Sequence, residues 1–146
     1  ALSRLAPEAK AADVAIGIEN VWNRFLLSPL ETRRFLDEIG SDYVGMYLDV
    51  GNAVYIGYPE QWIEILGHRI KKLHMSDYRF DQAGIGAFVD LFAGDVDFPA
   101  VAKAIAGIGY DDYITLEMLP NYKQFPEVSL YADKYAMNKI IEMIHL

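Results

Sequence analysis

The seven residues Tyr43–Asp49, YVGMYLD, decide how this chain folds. They are an apolar run short enough for a strand, and they end in a carboxylate. A helix precedes them. Ser28 supplies its N-cap, Pro29 its first position, Glu31 a capping-box acid and Gly40 its stop. Beyond them, Gly51 and Asn52 are expected to turn the chain. Pro59 then opens a short helix through Trp62, Ile63 and Leu66 to Gly67. An apolar run between two helices is the central strand of a β/α alternation, because a strand buried on both faces needs helices to cover it.

The same pattern repeats outward. Asp13–Glu19 (DVAIGIE), Arg69–His74 and Asp112–Glu117 (DYITLE) read as three more strands. Leu2, Leu5, Ala9 and Ala12 recur at helical spacing ahead of the first, with Pro7 expected to start or kink that helix. Asp97 and Pro99 cap a helix with an apolar face of Val101, Ala104, Ile105 and Ile108. The last helix is expected over Ser129–His145, with Leu130, Tyr135, Ile140, Ile141 and Ile144 inward. Ser76–Asp97 is a long connection with a helical turn expected near Phe88–Phe92, and Asn121–Pro126 is a loop. This β/α succession predicts a parallel sheet with right-handed crossovers. A doubly wound sheet and part of a (β/α)8 barrel both fit.

The 146 residues make one domain, 1–146, with enough chain to bury a core. There is no apolar run of membrane-spanning length. Cysteine is absent, which excludes disulfides, thiolate catalysis and cysteine metal sites and fits a cytoplasmic location. A net charge of −8 repels phosphate backbones and argues against nucleic acid as a partner.

Glu19, Asp49, His74 and Glu117 each stand at or within one residue of a strand end. Parallel α/β folds gather strand C-termini on one face, and that face carries the site. Any one of these residues alone reads as a helix cap or a hydrogen-bonded structural side chain. Their shared position makes them candidate ligands of a divalent metal: three carboxylates and one imidazole are a hard, mixed oxygen and nitrogen set suited to Mn2+, Mg2+, Co2+ or Zn2+. His68 and His145 lack that position and read as surface residues. Asp77 is placed to orient His74, Arg79 to clamp a substrate oxygen or phosphate, and Trp22 to offer a flat wall to a sugar ring.

The segments IENVWN (Ile18–Asn23), LDVGN (Leu48–Asn52), HMSDYR (His74–Arg79), GDVDFPAV (Gly94–Val101) and GYDDYITLE (Gly109–Glu117) resemble the sugar phosphate isomerase/epimerase family of xylose isomerase-like TIM barrels. Within it they are most similar to ketose and ketose-phosphate 3-epimerases. The resemblance implies one divalent metal, manganese among the candidates, held by Glu19, Asp49, His74 and Glu117. It makes Glu19 and Glu117 the acid/base pair and Arg79 a substrate contact. Many sugar 3-epimerases carry histidine at the position of Asn52, which would still contact a substrate hydroxyl. The implied reaction, in carbohydrate metabolism, is epimerisation or isomerisation of a ketose or its phosphate. A proton leaves carbon next to the carbonyl through a metal-stabilised enediolate.

A whole barrel of this kind has eight strands and about 250 residues. The matched motifs belong to its last four βα units, so the expected fold is the C-terminal half of the barrel, without the N-terminal four units. Such a half is expected to expose two strand edges and an apolar inner face. It is expected to self-associate or pair with the missing half, and to show weak or no turnover alone. The alternatives are a lyase of the inosose dehydratase type and a non-catalytic metal-binding half-barrel. An endonuclease with a three-metal cluster needs several strand-end histidines, and only His74 stands at one.

Overall fold

In a computed structural model, residues 1–119 and 122–146 are described. The expected Asn121–Pro126 loop therefore lies partly outside the described residues. The chain runs α1 (Leu2–Ala12), β1 (Ile16–Glu19), α2 (Pro29–Ile39), β2 (Val44–Asp49), α3 (Val50–Ile56), α4 (Pro59–Leu66), β3 (Ile70–Met75), β4 (Asp77–Tyr78), β5 (Phe88–Val89), α5 (Phe98–Gly107), β6 (Ile114–Leu116) and α6 (Glu127–Ile144). Strands β1, β2, β3 and β6 form one parallel sheet in that order, while β4 and β5 pair antiparallel. The register sets Glu19 beside Tyr47, Asp49 beside His74, and His74 beside Thr115. Met46 faces Ile70 but Tyr47 faces Lys72, so Lys71 is an extra residue in a bulge.

Local sequence explains the helix starts. The Ser28 hydroxyl accepts from Glu31 N–H, and the Glu31 carboxylate reaches back past the cap to accept from Leu27 N–H, a variant of the capping box. Asp97 caps α5 by accepting from Ala100 N–H. One sheet face is covered by helices. Met46, Leu48, Leu73 and Met75 meet Leu36, Trp62, Ile63, Leu66, Phe98, Val101, Ile105 and Ile140 in a single core. Each fully buried large aliphatic side chain there contributes roughly 1.5–3 kcal/mol.

The opposite face is not apolar, contrary to expectation. Alternation along the strands places Gly17, Gly45, Tyr47, Lys72 and Thr115 on it. The Tyr47 hydroxyl bonds the Thr115 hydroxyl at 3.1 Å, and Lys72 pairs with Asp112 above the Tyr113 ring. Glycines and polar groups let the open face sit in water.

Four local expectations change. Gly51 and Asn52 begin helix α3 instead of turning the chain, because the Asp49 carboxylate caps Asn52 N–H. Residues Phe88 and Val89 form β5 instead of a helical turn, which falls at Ile85–Ala87. Pro7 does not start α1 but sits inside it, exposed. Helix α6 buries Ser129, Asp133, Ala136, Met137 and Ile140, while Leu130 and Tyr135 face solvent. Asp133 accepts the Leu91 N–H at 2.8 Å, and that bond turns a polar residue inward. Among the described residues, no helix is long and apolar enough to cross a membrane.

Candidate metal centre

Glu19 and Asp49 are the last residues of β1 and β2, His74 is the penultimate residue of β3, and Glu117 follows β6 directly. Parallel pairing in this register carries all four to one end of the sheet. One ligand-capable atom from each lies within 4.8 Å of all the others. The Nδ1 of His74 is the nitrogen that faces the acids. It stands 3.0 Å from Glu19 Oε1, 3.0 Å from Glu117 Oε2 and 4.0 Å from Asp49 Oδ2. The imidazole rests on the Tyr47 ring, with centroids 4.0 Å apart.

Burial is graded across the group. Asp49 is fully buried, Glu19 and His74 are partly exposed, and the Glu117 side chain is half exposed. Burial pushes the Asp49 carboxyl up to about 8, a rise that the Asn52 N–H and Ser76 hydroxyl oppose and the nearby Glu117 carboxyl reinforces. Three carboxylates this close repel one another, and a divalent cation would remove both that repulsion and the drive to protonate Asp49. The donor set therefore fits such an ion: three hard oxygens and one imidazole nitrogen, converging from four strand ends.

The remaining candidates spread around this centre. Asn52 gives its backbone N–H to Asp49, and with Ser76, Ile85, Phe88, Glu117, Met118 and Leu119 it lines a cavity of about 210 Å3. Trp22 stacks on Phe88 at 5.5 Å and leans on Tyr55 at 4.7 Å, leaving a partly exposed aromatic wall. The Arg79 guanidinium is held by both oxygens of Asp81 at 3.1 and 2.7 Å. Asp77 does not orient His74. Its carboxylate is buried and accepts N–H groups from Tyr78, Gly94 and Val96. His68 and His145 are exposed.

Two residues at the centre were not singled out from sequence. The Ser76 hydroxyl lies 3.0 and 2.9 Å from the two oxygens of Asp49. The Asn20 side chain accepts from Asp49 N–H and donates to Asp49 C=O, each at 2.8 Å. Strand alternation carries a signal for the first, since Ser76 falls two residues after His74 and shares its face. No spacing rule marks Asn20, whose partner is 29 residues away.

Comparison with known proteins gives a family and a fold. The model of the family described as xylose isomerase-like TIM barrel matches residues 1–136. No curated protein matches. Among solved structures, an IolI protein with a bound zinc atom superposes with a TM-score of 0.82 at 20% identity, covering 96% of this chain and 53% of that one. A D-tagatose 3-epimerase-like protein gives 0.79 at 22% identity, covering 99% and 53%. An L-ribulose 3-epimerase gives 0.74 at 22% identity, covering 99% and 52%. The chain spans about half the length of these proteins, and its fold is that of a half-barrel.

Proposed function

The chain belongs to the xylose isomerase-like TIM barrel family, and from that premise we propose that it is the metal-binding half of a ketose or ketose-phosphate 3-epimerase. The observation that carries this reading is the convergence of Glu19, Asp49, His74 and Glu117 on one point. In this reading residues 1–146 are the C-terminal half of a barrel, and four further strands complete it.

Glu19, Asp49, His74 and Glu117 would hold the ion. A bound divalent cation supplies a Lewis acid that stabilises negative charge on substrate oxygens. The chain's own residues do the rest. Glu19 and Glu117 come from the first and last strands of the sheet and reach Nδ1 of His74 at 3.0 Å each. They are also the more exposed carboxylates, so substrate can reach them. One takes the proton from the carbon next to the carbonyl, and the other returns a proton to the opposite face. Asp49 is sealed from substrate, which leaves it a charge and coordination role. Trp22 and Asn52 bound the sugar, the first by its ring face and the second through its side-chain amide. Arg79 is paired with Asp81 through Nε and Nη2, and its remaining guanidinium N–H groups would be the ones to meet substrate.

Metal content measured after dialysis against Mn2+ or Zn2+ tests the assignment. One equivalent is expected in the wild type, with loss in Glu19→Gln, Asp49→Asn and His74→Ala. Unchanged content in all three would sink it. Solvent deuterium appearing at carbon 3 of an unlabelled ketose, in the chain joined to its complementary strands, distinguishes epimerisation from dehydration.

A further inference from the structure

Asn20, Gly51 and Ser76 have no part in the chemistry above, yet they enclose Asp49. We propose that Ser76 is a positioning residue that fixes the Asp49 carboxylate for the metal, in a frame completed by Asn20 and Gly51. This inference rests on the metal-site reading and concerns how that site is made ready.

Ser76 is buried, and its hydroxyl has defined roles on both sides. It accepts the Gly51 N–H at 3.0 Å and lies within 3.0 Å of both Asp49 oxygens. A hydroxyl has one proton, and with its lone pair facing Gly51 that proton goes to Asp49. Asn20 locks both backbone polar groups of Asp49, and it directly follows Glu19, so it ties two of the four strand ends together. The Asn52 N–H holds Oδ1. Asp49 is thus restrained at its amide, its carbonyl and its carboxylate before any ion arrives.

Gly51 is the spatial condition for this frame. A Cβ at that position would stand 2.4 Å from the Ser76 hydroxyl and 3.1 Å from the Phe88 ring. Glycine within a helix costs roughly 0.5–1 kcal/mol relative to alanine. No positive φ at Gly51 offsets that cost, so the close approach of Ser76 accounts for the residue.

Co2+ binding tests the frame, with affinity read by competition calorimetry and ligand geometry by the visible absorption of the ion. Ser76→Ala should keep the fold and weaken Co2+ binding about 10- to 100-fold, as loss of a partner behind a ligand does. It should also shift the absorption bands. Gly51→Ala should do the same by displacing the hydroxyl. The double variant Ser76→Ala/Gly51→Ala should match Ser76→Ala alone, because the two changes remove one interaction. Gly51→Ala, read alone, serves if the Ser76→Ala variant fails to fold. Wild-type affinity and an unshifted spectrum in the Ser76 variants overturn the inference, as do effects of the two single changes that multiply. A wild-type chain that takes up no Co2+ overturns the metal-site reading and this inference together. Binding that is intact but indifferent to Ser76 overturns this inference alone.

Discussion

Asp49 performs two tasks with one side chain: it caps α3 and it faces His74. Burial sets its titration. Its folded-state value of about 8 lies above the ordinary 3.8, so its contribution to stability is full below pH 3.8 and declines as pH rises toward 8. The metal-free protein should therefore lose thermal stability between pH 5 and pH 8, and Asp49→Asn should flatten that slope. Metal binding runs the other way, because the ion competes with the proton. Apparent affinity should rise with pH up to about 8, by as much as about tenfold per unit. Calorimetry across that range checks both signs.

The clustering of Glu19, Asp49, His74 and Glu117 was legible at this scale because each stands at or within one residue of a strand end. Asp77 was misread for a reason of geometry. Being near His74 in sequence does not put it on the same side, since side chains alternate along an extended chain and Ser76 takes the face that His74 uses.

At the scale of elements, the connection from β3 to α5 is anchored by a side chain. Asp77 gathers the N–H groups of Tyr78, Gly94 and Val96, and a Cβ at Gly94 would stand 2.2 Å from its carboxylate. Asp77→Ala leaves buried donors unpaired, at about 1–3 kcal/mol for each. The expected result is a lower denaturation midpoint and faster amide exchange at Gly94 and Val96, with the amides of β2 unchanged. Equal loss of protection throughout the sheet would show that the loop is not a separate unit.

The strand and helix order was readable from apolar runs and caps, as with Ser28 and Asp97. The inward face of α6 was readable in part: Ile140 is buried and Ile144 packs on the core as expected, while Leu130, Tyr135 and Ile141 are exposed. Its residues Leu130 and Tyr135 lie outside while Ser129 and Asp133 lie inside with Ala136, Met137 and Ile140, and the bond from Leu91 N–H to Asp133 accompanies that rotation. Side-chain to backbone bonds across 42 residues leave no periodic trace.

For the whole molecule, the helix count decides how the sheet can be closed. Helix α1 comes before β1, and α6 comes after β6. If two copies closed a ring about a two-fold axis along the barrel, β6 of one would neighbour β1 of the other. The α6 of the first and the α1 of the second would then claim the same position outside that strand pair. A complement that begins and ends on a strand avoids the conflict. Mixing the chain with a four-stranded βαβαβαβ unit should give a one-to-one complex by light scattering, and the chain alone should not form a closed two-copy ring. A stable dimer with β1 and β6 amides both protected from exchange would refute this.

The open face also carries its own label. Lys72 stands on it, partly exposed, with its ammonium held by Asp112 over Tyr113. In the isolated chain its amine is open to acylating reagents. If further strands complete the barrel as proposed, the same amine would lie inside it. The extent of Lys72 acylation, read by mass spectrometry against exposed Lys103 as an internal standard, therefore serves as a footprint of closure that requires neither substrate nor metal.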